Sequence, residues 1–107
     1  MNILYINHYA GTPSYGMEYR PFYLAREWVR AGHRVQVVAA SFSHVRSRQP
    51  VLGDRFAHET VEGVDFTWCA TPAYRGNGAG RVVNIVAFLR RLGQWRAWLK
   101  DKPDVVI

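Results

Sequence analysis

Apolar residues follow two periods along this chain, and the alternation between them sets its elements. The run NILYIN (2–7) is apolar on consecutive positions and ends in a turn former, which predicts a strand covered on both faces. In RPFYLAREWVRAGH (20–33) apolar positions recur three and four apart, at Leu24, Ala25, Trp28 and Ala31, with Arg26, Glu27 and Arg30 between them. That is an amphipathic helix. Pro21 fits only its first turn, and Gly32 is suited to end it with a positive φ. RVQVVAA (34–40) predicts a second strand. Residues 41–60 show no period and read as a long loop, with SFSHVRSRQP rich in Ser and Arg. VDFTWCA (64–70) is a third strand after a Glu-Gly turn, and TPAYRGNGAG (71–80) is a glycine-rich loop. Apolar residues at 82, 85, 86, 89 and 92 predict a helix over 81–100 with that stripe toward the core, weakened at Gly93. KPD breaks it, and VVI (105–107) begins a further strand.

The order β-α-β-β-α-β predicts an α/β protein: a Rossmann-like, doubly wound parallel sheet with helices on both faces. The chain stops inside the apolar run DVVI, which predicts a piece of a longer protein.

With 107 residues there is room for one domain, and 49% apolar residues suffice for its core. No apolar run approaches the ~20 residues of a membrane-spanning helix, and the N-terminus lacks the pattern of a signal peptide. Cys69 is the single cysteine and cannot form an internal disulfide, in keeping with a reducing cytosol. The net charge of +6 calls for an anionic partner or for none at all, and its distribution matters more than its size. Residues 1–80 carry eight basic and six acidic groups, whereas residues 81–107 carry six and two.

Ligands of parallel sheets bind beyond the carboxyl ends of the strands, which here points to the loops 8–19, 41–60 and 71–80. The first is longer than a connection requires and offers Gly11 and Gly16 for close backbone approach before a helix N-terminus, a favourable place for phosphate. It is neither GxGxxG nor GxxxxGK(S/T), so the fingerprints of nicotinamide binding and of the P-loop are missing. His8, one residue past the first strand, is a candidate to donate to a sugar hydroxyl or to act as a base; the other reading ties it to neighbouring loop backbone. Glu18 is a candidate for a hydroxyl contact or simply suits the first turn of a helix, and Arg20 is a candidate to pair with phosphate or with Glu18. His44, Arg46, Arg48 and Arg55 form one basic loop, and Arg75 with Asn77 marks a second; arginine forks match phosphate oxygens, while a solvated loop is the alternative. The histidines lack metal-ligand spacing, and no nucleophile carries a recognisable base. In the last helix Arg90, Arg91 and Arg96 accompany Trp95 and Trp98, a composition that suits an anionic membrane surface; the other reading is a sheet-packing helix with a solvated basic face. No nucleic-acid motif is present.

The combination of a glycine loop, Gly16, Glu18, Leu24-Ala25 and Gly32-His33-x-Val35 resembles the N-terminal domain of family 4 glycosyltransferases of the GT-B fold. INHYAGTPSYGMEYRPFYLAREW together with TPAYRGNGAGR is similar, more narrowly, to bacterial transferases of lipopolysaccharide or O-antigen assembly, including L-fucosamine transferases. The resemblance implies transfer of a sugar from a nucleotide-sugar donor, without metal or cofactor, to an undecaprenyl-diphosphate-linked saccharide at the inner face of the cytoplasmic membrane. It also implies that a C-terminal donor-binding domain is missing, so that residues 1–107 alone form the acceptor side and do not transfer sugar. Gly16 would contact the donor diphosphate, with Tyr15 standing where the family has the first glycine of its pair. Tyr9, Tyr15, Glu18, Arg20, His44, Arg46, Arg75 and Asn77 would address the acceptor. The alternative is a self-standing Rossmann-like module that binds a nucleotide or anionic lipid without turnover.

Overall fold

The computed structural model describes residues 1–12, 19–41, 56–73, 78–96 and 102–107. Along the chain these form β1 (Asn2–Ile6), α1 (Arg20–Arg30), β2 (Arg34–Ala40), β3 (Phe56–Val61), β4 (Val64–Cys69), α2 (Ala79–Arg96) and β5 (Val105–Val106). The strands make one sheet in the order β3-β4-β2-β1-β5. Neighbours pair in parallel except β3, which runs antiparallel to β4. The fold is α/β with a mostly parallel sheet and one helix on each face, consistent with a Rossmann-like part of a GT-B protein.

Strand alternation explains the two cores. Ile3, Val35, Val37, Phe66 and Trp68 point to the α1 side, where Phe22 and Ala25 meet them. Leu4, Val38, Ala40 and Cys69 point to the other side and receive Phe88 and Trp95 from α2. Helix α1 begins with Pro21 in its first turn. It ends in a Schellman motif: Gly32 N–H donates to the Val29 carbonyl and His33 N–H to the Trp28 carbonyl, both at 3.0 Å, with Gly32 at φ +97°.

Three expectations are corrected. Residues 56–61 are a strand rather than loop, and the chain reverses into β4 through Glu62 and Gly63, whose φ values of 50° and 82° are those of a two-residue primed turn. On α1, Leu24 and Ala31 are exposed and Phe22 takes the inward place, 6.2 Å from the ring of Phe66. On α2 the inward stripe is Asn84, Phe88 and Trp95, not 82, 85, 86 and 89; Leu92 alone of the expected set packs against the core. The reason lies in the sheet beneath. Val38, Ala40 and Cys69 are small, so close packing there calls for the two large rings.

Candidate active site

From β1 the chain passes to α1 and β2 on one side of the sheet, while β5 pairs with β1 on the other. The carboxyl end of β1 is therefore the topological switch point, where open α/β sheets leave a crevice for ligands. The segments leaving β1, β2 and β4 are laced together at this edge. Asn7 N–H donates to the Val38 carbonyl at 2.9 Å, Ala40 N–H to His8 at 3.2 Å and Ser41 N–H to Cys69 at 2.8 Å. Ser41 Oγ accepts the Thr71 N–H at 2.9 Å. Asn7 Oδ1 accepts the Tyr9 N–H at 3.0 Å, a side-chain turn that sets the direction of the loop after β1.

His8 is held from three sides. Its ring meets Tyr9 and Phe88 edge-on, with centroids 4.6 and 5.1 Å away. Its Nε2 lies 2.5 Å from Asn84 Oδ1, and Asn84 Nδ2 donates to the Pro72 carbonyl at 2.6 Å. Chemistry fixes the orientation of that amide. A carbonyl oxygen only accepts, so the NH₂ group faces Pro72 and the oxygen faces His8. His8 Nε2 therefore carries the proton and donates, which in the neutral ring leaves Nδ1 as the basic nitrogen. Nδ1 is itself buried. In this arrangement His8 is a strut joining the loop after β1, helix α2 and the segment after β4.

Beside it, Arg81 in the first turns of α2 donates to Tyr9 Oη at 2.7 Å, with its guanidinium 5.8 Å from the ring centroid. A fixed phenol, an arginine and the N-terminus of α2 thus share the switch-point edge, and each favours an anionic or hydroxylated ligand. Cys69 does not add a nucleophile. Burial pushes its thiol up to about 12, against the opposing pull of Arg91. Among the described residues no group of three or more His, Cys, Asp or Glu side chains is placed to hold a metal ion. A shallow hollow lined by Gln36, His58, Asp65 and Thr67 lies toward the opposite end of the sheet, away from the strand exits.

Of the residues singled out by sequence, His8 and Tyr9 meet at this edge, and Arg20 opens α1 as an exposed residue. Tyr15, Gly16, Glu18, His44, Arg46, Arg48, Arg55, Arg75, Asn77 and Trp98 lie outside the described residues, as does the side chain of Arg96. Arg90 is exposed. Arg91 turns in, donating to the Ala70 carbonyl at 3.4 Å and to Gln94 Oε1 at 2.8 Å, and Trp95 is only 5% exposed. Trp95 is thereby withdrawn from any surface contact made by α2, while Arg91 stays half-buried. Two residues of the site escape sequence reasoning. Asn84 is a polar residue inside the apolar run VVNIVAF, which is a signal in itself; Arg81 reads only as one more basic residue of the helix.

The chain matches the glycosyl transferase 4-like domain over residues 15–107. A search of curated proteins gives no match.

Proposed function

Because the chain belongs to the glycosyl transferase 4-like domain family, we propose that it forms the acceptor side of a glycosyltransferase of lipopolysaccharide or O-antigen assembly. The sugar would pass from a nucleotide-sugar donor to an undecaprenyl-diphosphate-linked saccharide at the inner face of the cytoplasmic membrane. The observation that carries the reading is the family match over residues 15–107; the placement of Tyr9 and Arg81 at the switch-point edge supports it.

In this reading the diphosphates of donor and acceptor are the anions that the edge serves. Transfer breaks the bond from the anomeric carbon to the donor diphosphate and forms one to an acceptor hydroxyl, so negative charge grows on the departing diphosphate. Backbone N–H groups around Gly16 would stabilise that charge, and Arg81, held by Tyr9, would add a fixed cation. No metal is required of these residues. Tyr9 and Arg20 would position the acceptor saccharide, and the strut of His8, Asn84 and Pro72 would keep helix α2 and the segments after β1 and β4 in register while it binds.

The test is saturation-transfer NMR of the chain with an undecaprenyl-diphosphate-linked saccharide in detergent, beside the free nucleotide sugar. The expected result is acceptor binding, weakened about tenfold by Arg81→Gln through loss of a charge-assisted contact. Tight binding of a free nucleotide with no response to the saccharide would favour a self-standing nucleotide-binding module instead.

A further inference from the structure

Exposed rings gather at one end of α1. Apart from Met1, helix α2 and residues 105–107, the large apolar side chains exposed among the described residues are Tyr19, Tyr23 and Leu24, all at the first turns of that helix. Tyr19 and Tyr23 stand four residues apart and so share one side of it, with 38 and 42% of their surface exposed. Phe22 beside them is fully buried, 6.2 Å from the ring of Phe66. A phenol at the surface offers an apolar ring face together with a hydroxyl.

Their place in the fold relates them to the strand exits. Helix α1 starts after the segment leaving β1 and ends at the turn into β2, with Val29 beside Gly63 of the β3–β4 turn. It therefore runs back from the carboxyl ends of the parallel strands, and its first turns lie on the edge that carries Tyr9 and Arg81. The rings are also held in place before any ligand arrives. The Arg26 guanidinium lies 4.8 Å from the Tyr23 centroid and is itself drawn to Glu27 and Glu62, each at 3.7 Å. Phe22 and Tyr19 both meet the Tyr23 ring at 61°, with centroids 5.4 and 6.1 Å away. Rings already ordered by their neighbours lose little freedom on binding, so contact with them is favourable.

The inclination selects the ligand. A flat nucleobase stacks between parallel rings and cannot lie on two that meet at 61°. A pyranose carries C–H groups on its faces and on its rim, so it can rest on both rings and turn its hydroxyls to the phenol oxygens. We propose that Tyr19 and Tyr23 form an aromatic platform that receives a sugar ring of the acceptor saccharide. The platform rests on the acceptor reading above and adds to it a subsite on α1 that works by ring contact rather than by charge.

The test is saturation-transfer NMR of the 107-residue chain with N,N′-diacetylchitobiose, both free and linked to undecaprenyl diphosphate in detergent, beside uridine monophosphate. Saturation is expected on the sugar-ring protons of the disaccharide. Tyr19→Ala and Tyr23→Ala should each weaken its binding about fivefold, and together about tenfold or more, whereas Tyr19→Phe and Tyr23→Phe keep the rings and should stay within about twofold. Leu24→Ala, about 100° further round the helix from Tyr23, is the control and should leave binding unchanged. All these side chains are at the surface, so circular dichroism should not change. Undiminished binding by the double alanine variant would overturn the platform and leave the acceptor reading standing. Saturation of neither form of the disaccharide by the unsubstituted chain would overturn both. An equal loss in Leu24→Ala, or a loss of uridine monophosphate rather than disaccharide in the tyrosine variants, would overturn the platform in favour of an unspecific apolar patch or of the nucleotide.

Discussion

Asn84 does work at the level of single atoms that no apolar residue of α2 could replace. Its amide satisfies the Pro72 carbonyl and the His8 ring N–H together, and the residue is fully buried. Replacing it by leucine removes a donor and an acceptor at once and leaves two polar groups inside the protein without their partner. Each such group costs about 1–3 kcal/mol, so Asn84→Leu should lower the unfolding free energy by about 2–4 kcal/mol. Urea denaturation checks this through a lower midpoint at unchanged slope. His8→Phe should cost less, because the flat ring keeps its contacts with Tyr9 and Phe88 and only one acceptor is stranded. A larger loss in His8→Phe than in Asn84→Leu would mean that the Pro72 bond contributes little and that the strut runs through the ring packing.

Among the elements, the hairpin of β3 and β4 depends most on a single conformation. Gly63 sits at φ +82°, and a Cβ added there would meet Val29 Cγ1 at 3.0 Å. Gly63→Val therefore combines left-handed strain with a clash against α1, and it should destabilise the protein by about 2–4 kcal/mol. Thermal unfolding followed by circular dichroism would read this as a lower midpoint, and loss of β3 protection in hydrogen exchange would localise it. The turn itself was legible as Glu-Gly, and so were β1, β2, β4 and α1, because consecutive apolar runs and helix caps are local signals. Strand β3 was not legible. Its alternation offers Ala57 and Val61 to one core but His58 and Thr60 on the other face, the mixed pattern of an edge strand, and only pairing with β4 defines it. The rotation of α2 was hidden for a related reason. Val82, Ile85, Val86 and Leu89 make as good a helical stripe as Asn84, Phe88 and Trp95 do. The choice between them is made by small residues on β2 and β4 and by a histidine 76 positions away, none of which a window along the helix contains.

Across the whole molecule, unbalanced charge works against the fold. The net charge is +6, and the ion pairs among the described residues join Arg26 and Arg30 to Glu27 and Glu62, all in or beside α1 and near the surface. Pairs of that kind contribute little, so the unbalanced cations dominate the long-range electrostatics. The molecule measures 40 × 29 × 23 Å, comparable to a Debye length of about 30 Å at 0.01 M salt and much larger than about 8 Å at 0.15 M. At low salt, then, like charges repel across the entire fold, and added sodium chloride should stabilise it. If screening recovers about 1 kcal/mol, the melting midpoint rises by roughly 4–8 °C between 0.01 and 0.3 M. A midpoint that fell with salt would mean that attractive pairs, not repulsion among the unbalanced cations, dominate the electrostatics of the fold.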